Sequence, residues 1–309
     1  METVQQIKIS IVTPSYNCAA FIKETIDSVL VQGEKSLEHI VIDGGSKDGT
    51  LEILKSYPHL TWVSEKDRGQ SHALNKGFAL AQGEIIGWLN ADDTYEPGTF
   101  AKVFDIFEQN PEIDFIGTDI HIINEQSERI GFSKGKPINL KEMLLVNTVK
   151  QPAVFMRKEM VKRLVGVDES LHYVMDHEFW VRAIGEGFRF KYIPAEVFAN
   201  FRLVSGTKSF ESAPRFYLEW EKAAQGFLSN KSIPEGINSI EVLKDIKSQY
   251  HITMTIKYLN DKNRIQAIRE WCNALKVNPS LSLKIGTFYY LYLILAGKER
   301  SIRSKYKKK

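Results

Sequence analysis

Two adjacent carboxylates, Asp92 and Asp93, close the apolar run Ile85-Ile86-Gly87-Trp88-Leu89-Asn90-Ala91. Two acids side by side at the end of a buried strand repel each other unless their charge is taken up. A divalent cation shared with an anionic ligand does that. Taken alone, the pair also reads as an acidic turn that caps the next helix. Three more polar clusters accompany it, Thr13 to Asn17, Asp43 to Asp48 and Glu65 to Gln70. In the second, Asp43 offers an acceptor for a base N–H or for ribose hydroxyls, and Gly44 and Gly45 permit a tight turn. A plain turn with Asp48 capping the following helix is the alternative. In the third, Arg68 offers a cation for a phosphate or a neighbouring acid. Lys76 lies one turn into the next helix, where a solvated helix face explains it equally well.

These clusters need elements to hold them. Ile7, Ile9 and Ile11 alternate with polar residues and meet Val12, which predicts a first strand ending at Thr13-Pro14. Phe21, Ile22, Ile26, Val29 and Leu30 follow at helical spacing. His39 to Ile42 is a second strand, Leu60 to Val63 a third, and the run before the acid pair a fourth. Helices carry Leu51, Ile53 and Leu54, then Ala73, Leu74, Phe78 and Ala81, then Phe100, Val103, Phe104 and Phe107. Phe115-Ile116 is a further strand. This alternation predicts an α/β domain with a largely parallel sheet. In such sheets ligands bind outside the carboxyl ends of the strands, where all four clusters fall. From Asn124 to Asn147 the pattern is weaker. Gln151 to Met156 reads as a strand and Asp176 to Ile184 as a helix. After Ser205 the chain reads as mainly helical.

The first strand–helix turn has no glycine. A dinucleotide-binding fold needs Gly-x-Gly-x-x-Gly there to admit a pyrophosphate, and no P-loop occurs either. The chain has 309 residues, 43% of them hydrophobic and 26% charged, with room for one large core and a smaller unit. A net charge of +3 is too near balance to suggest nucleic acid as a partner. Cys18 and Cys272 are the only cysteines, so a disulfide framework is not expected and a reducing compartment fits. The polar start, Met1 to Gln6, lacks the pattern of a signal peptide. His172 and His177 do not form a His-Glu-x-x-His pattern, which argues against zinc.

Four motifs in series carry a resemblance. They are Thr13-Pro14-Ser15-Tyr16-Asn17, Asp43-Gly44-Gly45-Ser46-Lys47-Asp48-Gly49-Thr50, Leu89-Asn90-Ala91-Asp92-Asp93 and Asp176-His177-Glu178-Phe179-Trp180-Val181-Arg182. In that order and spacing the chain resembles the inverting family 2 glycosyltransferases of the GT-A fold, especially bacterial enzymes of polysaccharide and lipopolysaccharide assembly. The likeness covers residues 7–209. It implies a Rossmann-like, mostly parallel central sheet flanked by helices, with a helical region over residues 210–309. It also implies that Thr13, Pro14 and Tyr16 line the nucleotide base and that Asp43 binds the uracil or its equivalent. Asp67, Arg68 and Lys76 would lie toward the base and phosphates, and Asp92 would contact ribose or the donor sugar. Asp93 would ligate Mg2+ or Mn2+, and Asp176 would be the catalytic base, with Glu178 the second candidate.

The chemistry agrees with the resemblance. A small hard cation needs one or two protein carboxylates and takes its other ligands from phosphates and water. It stabilises a leaving diphosphate, while inversion needs a base on the opposite face of the anomeric carbon. At a helix N-terminus, capping would depress the Asp176 pKa and weaken it as a base. The chain also departs from the family pattern. Met175 precedes Asp176 where many relatives have Glu, and Val204 stands where relatives often have a metal- or phosphate-holding His. Arg202 and Lys208 are then candidate phosphate contacts on a lid.

The implied partners are a nucleotide-sugar donor, UDP-linked, and a glycan or lipid-linked saccharide acceptor. The apolar run Ile285 to Ala296 is too short to span a bilayer. With the basic stretch Lys298 to Lys309 it fits either a segment lying on an anionic membrane or a buried terminal helix with a solvated tail. A cytoplasmic enzyme peripheral to the inner face of the plasma membrane is the matching location. A sugar-nucleotide-forming nucleotidyltransferase and a non-catalytic nucleotide-sugar-binding protein are the competing functions.

Overall fold

The apolar alternation at the start of the chain becomes the middle of a nine-stranded sheet. Ile9 to Ser15 form β1, every residue of it buried. In the computed structural model, which describes residues 8–33, 36–204, 213–229 and 235–282, the chain splits into two compact units. The first is Met1–Leu140 with Asn147–Val204, and the second is Lys141–Val146 with Ser205–Lys309. The six residues Lys141–Val146 thus belong to the second unit.

In the first unit β1 pairs in parallel with β2 (Leu37–Asp43) and with β4 (Ile85–Trp88). β3 (Thr61–Ser64) adds in parallel to β2. β5 is the short strand Thr94–Tyr95, β6 spans Phe115–Ile123, β7 spans Arg129–Ser133, β8 spans Val154–Arg157 and β9 spans Phe190–Arg202. The sheet order is β3-β2-β1-β4-β8-β6-β9-β5, with β7 paired to β6. The first four strands are all parallel, so their carboxyl ends share one edge. Beyond β4 the sheet turns mixed, as β8 runs antiparallel to both β4 and β6.

Helices cover both faces. α1 (Ile22–Leu30), α2 (Thr50–Lys55) and α4 (Thr99–Gln109) lie on one. There Ile9, Ile11, Val29, Phe100, Val103, Phe107, Phe155 and Phe198 form the largest core. α3 (Gln70–Leu80) lies on the other face, where a Cβ on Gly77 would sit 2.2 Å from the Val12 side chain. Glycine is therefore what lets this helix approach β1 so closely. On the same face Phe115 stacks on Trp180 of α7 (Met175–Gly185), with ring centroids 5.7 Å apart. A short turn of helix, α5 (Leu140–Met143), and α6 (Lys158–Arg163) complete the ordered elements.

Three elements differ from the sequence pattern. Gln151 to Ala153 is a 3-10 turn, not strand, and the strand begins at Val154. Pro152 offers no N–H to a ladder, which explains the late start. The weakly patterned stretch after Asn124 contains β7, an edge strand with Ile130 and Phe132 exposed. The long β9 escaped because Pro194 and Ala195, the latter at φ +64, break its alternation.

In the second unit the longer helices described are Ala213–Leu228, Ser239–Asn260 and Arg264–Val277, and a short one, Pro279–Ser282, follows. Asn238 and Asn263 cap the last two of the longer helices. Ser248, Thr255, Ala267 and Ala274 are fully buried where those two helices pack. Ala267 and Ala274 are small residues at this contact, which lets the two helices approach closely. Trp220 Nε1 donates to the Leu144 carbonyl at 2.9 Å, which ties the segment after Leu140 to this unit. No helix among the described residues is long and apolar enough to cross a membrane. The expectations for Lys208, the apolar run from Ile285 and the basic end lie outside the described residues.

Candidate active site

The loops at the shared edge hold one another in place. Gly44 N donates to the Ser15 carbonyl at 2.9 Å, and Asn17 N donates to Ser46 Oγ at 2.7 Å. Lys47 N donates to Asn17 Oδ1, and Ala19 N donates to Asp48 Oδ2, both at 2.9 Å. Asp43, at the end of β2, is fully buried. Its Oδ2 accepts from Gly45 N at 3.0 Å, Ser46 N at 2.9 Å and Ser64 Oγ at 2.6 Å, and its Oδ1 accepts from Ser46 Oγ. The sequence reading places Asp43 on the uracil; in the structure its carboxylate accepts these four hydrogen bonds, from its own loop and from Ser64 of β3. Asp67 lies at the same edge, half-buried. Its Oδ1 accepts from Gly69 N, and its Oδ2 lies 2.7 Å from where a Cβ on Gly44 would be. Gly44 is thus needed for the close approach of the Asp67 carboxylate.

Thr13 and Pro14 are likewise buried. Thr13 Oγ1 is 2.9 Å from His39 Nε2, beneath the sheet edge. Burial pushes His39 down to about 3, so it is neutral there. Tyr16, by contrast, is 63% exposed at the mouth of the edge. Beside it the buried Ser15 hydroxyl has no hydrogen-bond partner among the described residues. Arg68 pairs with Glu169 and is mostly exposed. Lys76 pairs with Glu65, which matches the solvated-face reading.

The acid pair divides into one inner and one outer carboxylate. Asp93 is 1% exposed. Its Oδ1 accepts from Arg202 N at 2.9 Å and its Oδ2 from Asn90 Nδ2 at 3.4 Å. Burial, and then the neighbouring Asp92, hold its carboxyl well above the usual range. Asp92 is half-buried, and no described side chain hydrogen-bonds it. Burial raises its pKa too, opposed by Arg202. Of the two carboxylates Asp92 is thus the more accessible and Asp93 the buried one.

Arg202 is no lid residue. It lies at the end of β9 with a fully buried side chain. Nε donates to the Asp92 carbonyl at 2.7 Å, Nη1 to the Asn124 carbonyl at 3.0 Å and to Ser127 Oγ at 2.8 Å, and Nη2 to Glu24 Oε2 at 2.6 Å. Four of the five guanidinium N–H donors are thereby engaged within the protein. Thr25 of α1 braces the same loop, donating to the carbonyls of Ala91 and Asp93.

Asn90 links this loop to other elements. It accepts from Gln70 Nε2 at 2.9 Å and Trp88 Nε1 at 3.0 Å, and donates to Gln151 Oε1 at 3.0 Å. One residue on, Ser71 Oγ donates to the Leu171 carbonyl at 2.8 Å and contacts Met175 Sδ at 3.2 Å. The start of α3 therefore touches both the acid pair's loop and the start of α7.

At the start of α7 the two candidate bases separate cleanly. Glu178 is locked in a two-pronged pair with Arg182, at 2.7 and 2.9 Å. Arg182 also donates to the carbonyls of Leu164 and Gly166. Asp176 is bonded by one described side chain, Asn147, whose Nδ2 donates to Oδ2 at 2.9 Å. Burial raises its pKa, and the His177 N–H and the Asn147 amide oppose this without reversing it. The expected depression by the helix terminus is corrected: desolvation outweighs it.

Comparison with known proteins decides what this edge belongs to. Residues 10–164 match the model of glycosyl transferase family 2. The chain belongs to that family. An uncharacterized glycosyltransferase of Rickettsia typhi is 31% identical over 183 residues, 56% of this chain and 58% of that protein. Chondroitin synthase of Escherichia coli is 28% identical over 60% of this chain and 27% of its own length. The chain spans less than two thirds of the length of the first relatives it matches. Among solved structures, TarS residues 1–349 of S. aureus in complex with UDP-GlcNAc aligns with a TM-score of 0.62 at 18% identity, over 94% of this chain and 89% of that one. A mannosyltransferase of Pyrobaculum calidifontis in complex with GDP-Man and Mn2+ aligns at 0.59 and 18%, over 94% and 85%. The fold is that of the GT-A family 2 transferases.

Within this family 2 domain, no group of three or more His, Cys, Asp or Glu side chains among the described residues could hold a metal. The donor set fits Mg2+ or Mn2+ all the same. Asp92 and Asp93 are an oxygen-only pair with excess charge in a desolvated place, and such ions accept most of their ligands from phosphate and water. Sequence reasoning missed Asn147, Gln70, Gln151 and the unpartnered Ser15. The sequence reading names Arg202 for a phosphate; in the structure its side chain braces the acid pair's loop.

Proposed function

We propose that this family 2 protein is a metal-dependent inverting glycosyltransferase. Its donor is a nucleotide sugar, UDP-linked, and its acceptor a hydroxyl of a glycan or lipid-linked saccharide in cell-surface polysaccharide assembly. One observation carries the reading: Gln70 and Ser71, adjacent at the start of α3, reach the acid pair's loop and the turn that holds Asp176. A cation-binding pair and an uncommitted carboxylate of raised pKa are thereby joined through two neighbouring residues.

The exposed ring of Tyr16 offers a face for the base, and Asp67 Oδ2 an acceptor for a base N–H. Asp92, backed by Asp93, would hold Mg2+ or Mn2+, which supplies charge neutralisation for the departing diphosphate. Asp176 takes the proton from the acceptor hydroxyl. The acceptor oxygen then forms a bond to the anomeric carbon as the bond to the diphosphate breaks, and that bonding pair leaves with the diphosphate. The teichuronic acid and chondroitin associations in the names of relatives support a polysaccharide acceptor.

The test is release of nucleoside diphosphate from a panel of UDP- and GDP-sugars, with Mg2+ or Mn2+ and with chelator. Turnover is expected with metal and not with chelator. Asp92→Asn and Asp176→Asn should each lose about 100-fold or more in kcat, the range for a removed catalytic acid or base. Full turnover in both variants would overturn the assignment.

A further inference from the structure

Asp176 presents an unusual combination. It is a carboxylate in a desolvated place, yet no charged side chain holds it. The other charges on α7, Glu178 and Arg182, pair with each other. The one described side chain bonded to it is the neutral amide of Asn147, at Oδ2. Asn147 is itself fixed, because its Oδ1 accepts from Val149 N at 3.1 Å. Its amide orientation is therefore set from the other end, and Nδ2 is left to face Asp176. No described side chain hydrogen-bonds Oδ1 of Asp176, and the other donors to this carboxylate are the backbone N–H groups of His177 and Asp176.

We propose that Asn147 is the positioning residue of the base: it holds Asp176 through Oδ2 and leaves Oδ1 to receive the acceptor proton. This rests on the reading of Asp176 as the base. The chemical logic is specific to an amide. A Lys or Arg in its place would neutralise the carboxylate and remove its basicity. An apolar residue would leave the carboxylate to the backbone N–H groups alone, with less to hold its reactive oxygen where the hydroxyl arrives. An amide fixes one oxygen at little electrostatic cost and leaves the other open. The step balances simply, as the hydroxyl proton moves to Oδ1 and the O–H electron pair becomes the new bond to the anomeric carbon.

The test is the pH profile of kcat/KM for donor turnover in Asn147→Leu and Asn147→Asp, with Asp176→Asn as control. Losing the amide donor removes an interaction that favours the ionised carboxylate. The acid limb of the profile should therefore move to higher pH, with kcat about 10-fold lower and the donor KM unchanged. In Asn147→Asp a second carboxylate faces the first, so the limb should move further in the same direction. If Asn147→Leu does not fold, Asn147→Asp, nearly the same shape, gives the same readout. An acid limb unmoved in a folded variant overturns the role of Asn147. Full activity in Asp176→Asn would instead overturn the base assignment, so the two failures are distinguishable.

Discussion

Replacing Arg202 by Met is the sharpest test of how the acid pair is held. The guanidinium is fully buried, and its Phe21 neighbour has a ring 5.0 Å away. Methionine fills much of the volume and removes every polar contact. The Asp92 carbonyl loses the donor at 2.7 Å. Asn124 and Ser127 keep other partners, since Ser127 N still donates to the Asn124 carbonyl and Ser127 Oγ to Glu24. One buried carbonyl left without a donor costs about 1–3 kcal/mol. Removing the cation of a buried pair costs about 3–5 kcal/mol, but Glu24 is 47% exposed and solvent screens much of that loss. Together the expected destabilisation is about 2–4 kcal/mol. For a unit of this size each kcal/mol is roughly 2–4 °C in Tm, so a calorimetric melt should fall by about 5–15 °C. Activity should fall as well, because Arg202 opposes the rise in the pKa of both acids. With the cation gone both carboxyls rise further, and donor turnover should need higher pH. A Tm within about 2 °C of the parent, with an unchanged pH profile, would refute the view that Arg202 holds this loop.

Two further outcomes follow from the same structure. Asp92 and Asp93 have pKa values above those of an unfolded chain, so the folded state binds more protons in the window above the ordinary carboxylate range. Stability should therefore fall as pH rises through that window, and Mn2+ with UDP should restore it, read as a Tm gain that grows with pH; a gain independent of pH would count against the pair as the cation site. Val165 follows α6 at φ +56, a left-handed conformation costly for a β-branched side chain, and it is 86% exposed. Val165→Gly should stabilise by about 0.5–1 kcal/mol, the relief of about 1–2 kcal/mol less the greater entropy of glycine, seen as a higher urea midpoint with unchanged m.

Much of the parallel half of the sheet was legible in the sequence. Ile9, Ile11, Val41 and Ile86 alternate or cluster as buried strands must, and four parallel strands in succession bring their polar ends to one edge for topological reasons alone. The acid pair, the loop after Asp43 and the start of α7 could be marked because residue type and order survive in a linear string. The second half of the sheet was harder. β7 lies at an edge with apolar residues facing out, and β9 is broken by Pro194, so neither shows a clean period.

What the sequence by itself determined is which residues have the chemistry: Asp43, Asp67, Asp92, Asp93, Asp176 and Glu178 all carry the right group. Which of them is free to use it was decided only by tertiary structure. Asp43 accepts from Gly45, Ser46 and Ser64, and Glu178 accepts from Arg182. Asp93 accepts from the Arg202 backbone, while no described side chain hydrogen-bonds Asp92 and one, Asn147, hydrogen-bonds Asp176. The physical reason is that a carboxylate's reactivity depends on its desolvation and its hydrogen-bond partners. Those partners come from residues 20 to more than 100 positions away, whose approach no local pattern encodes.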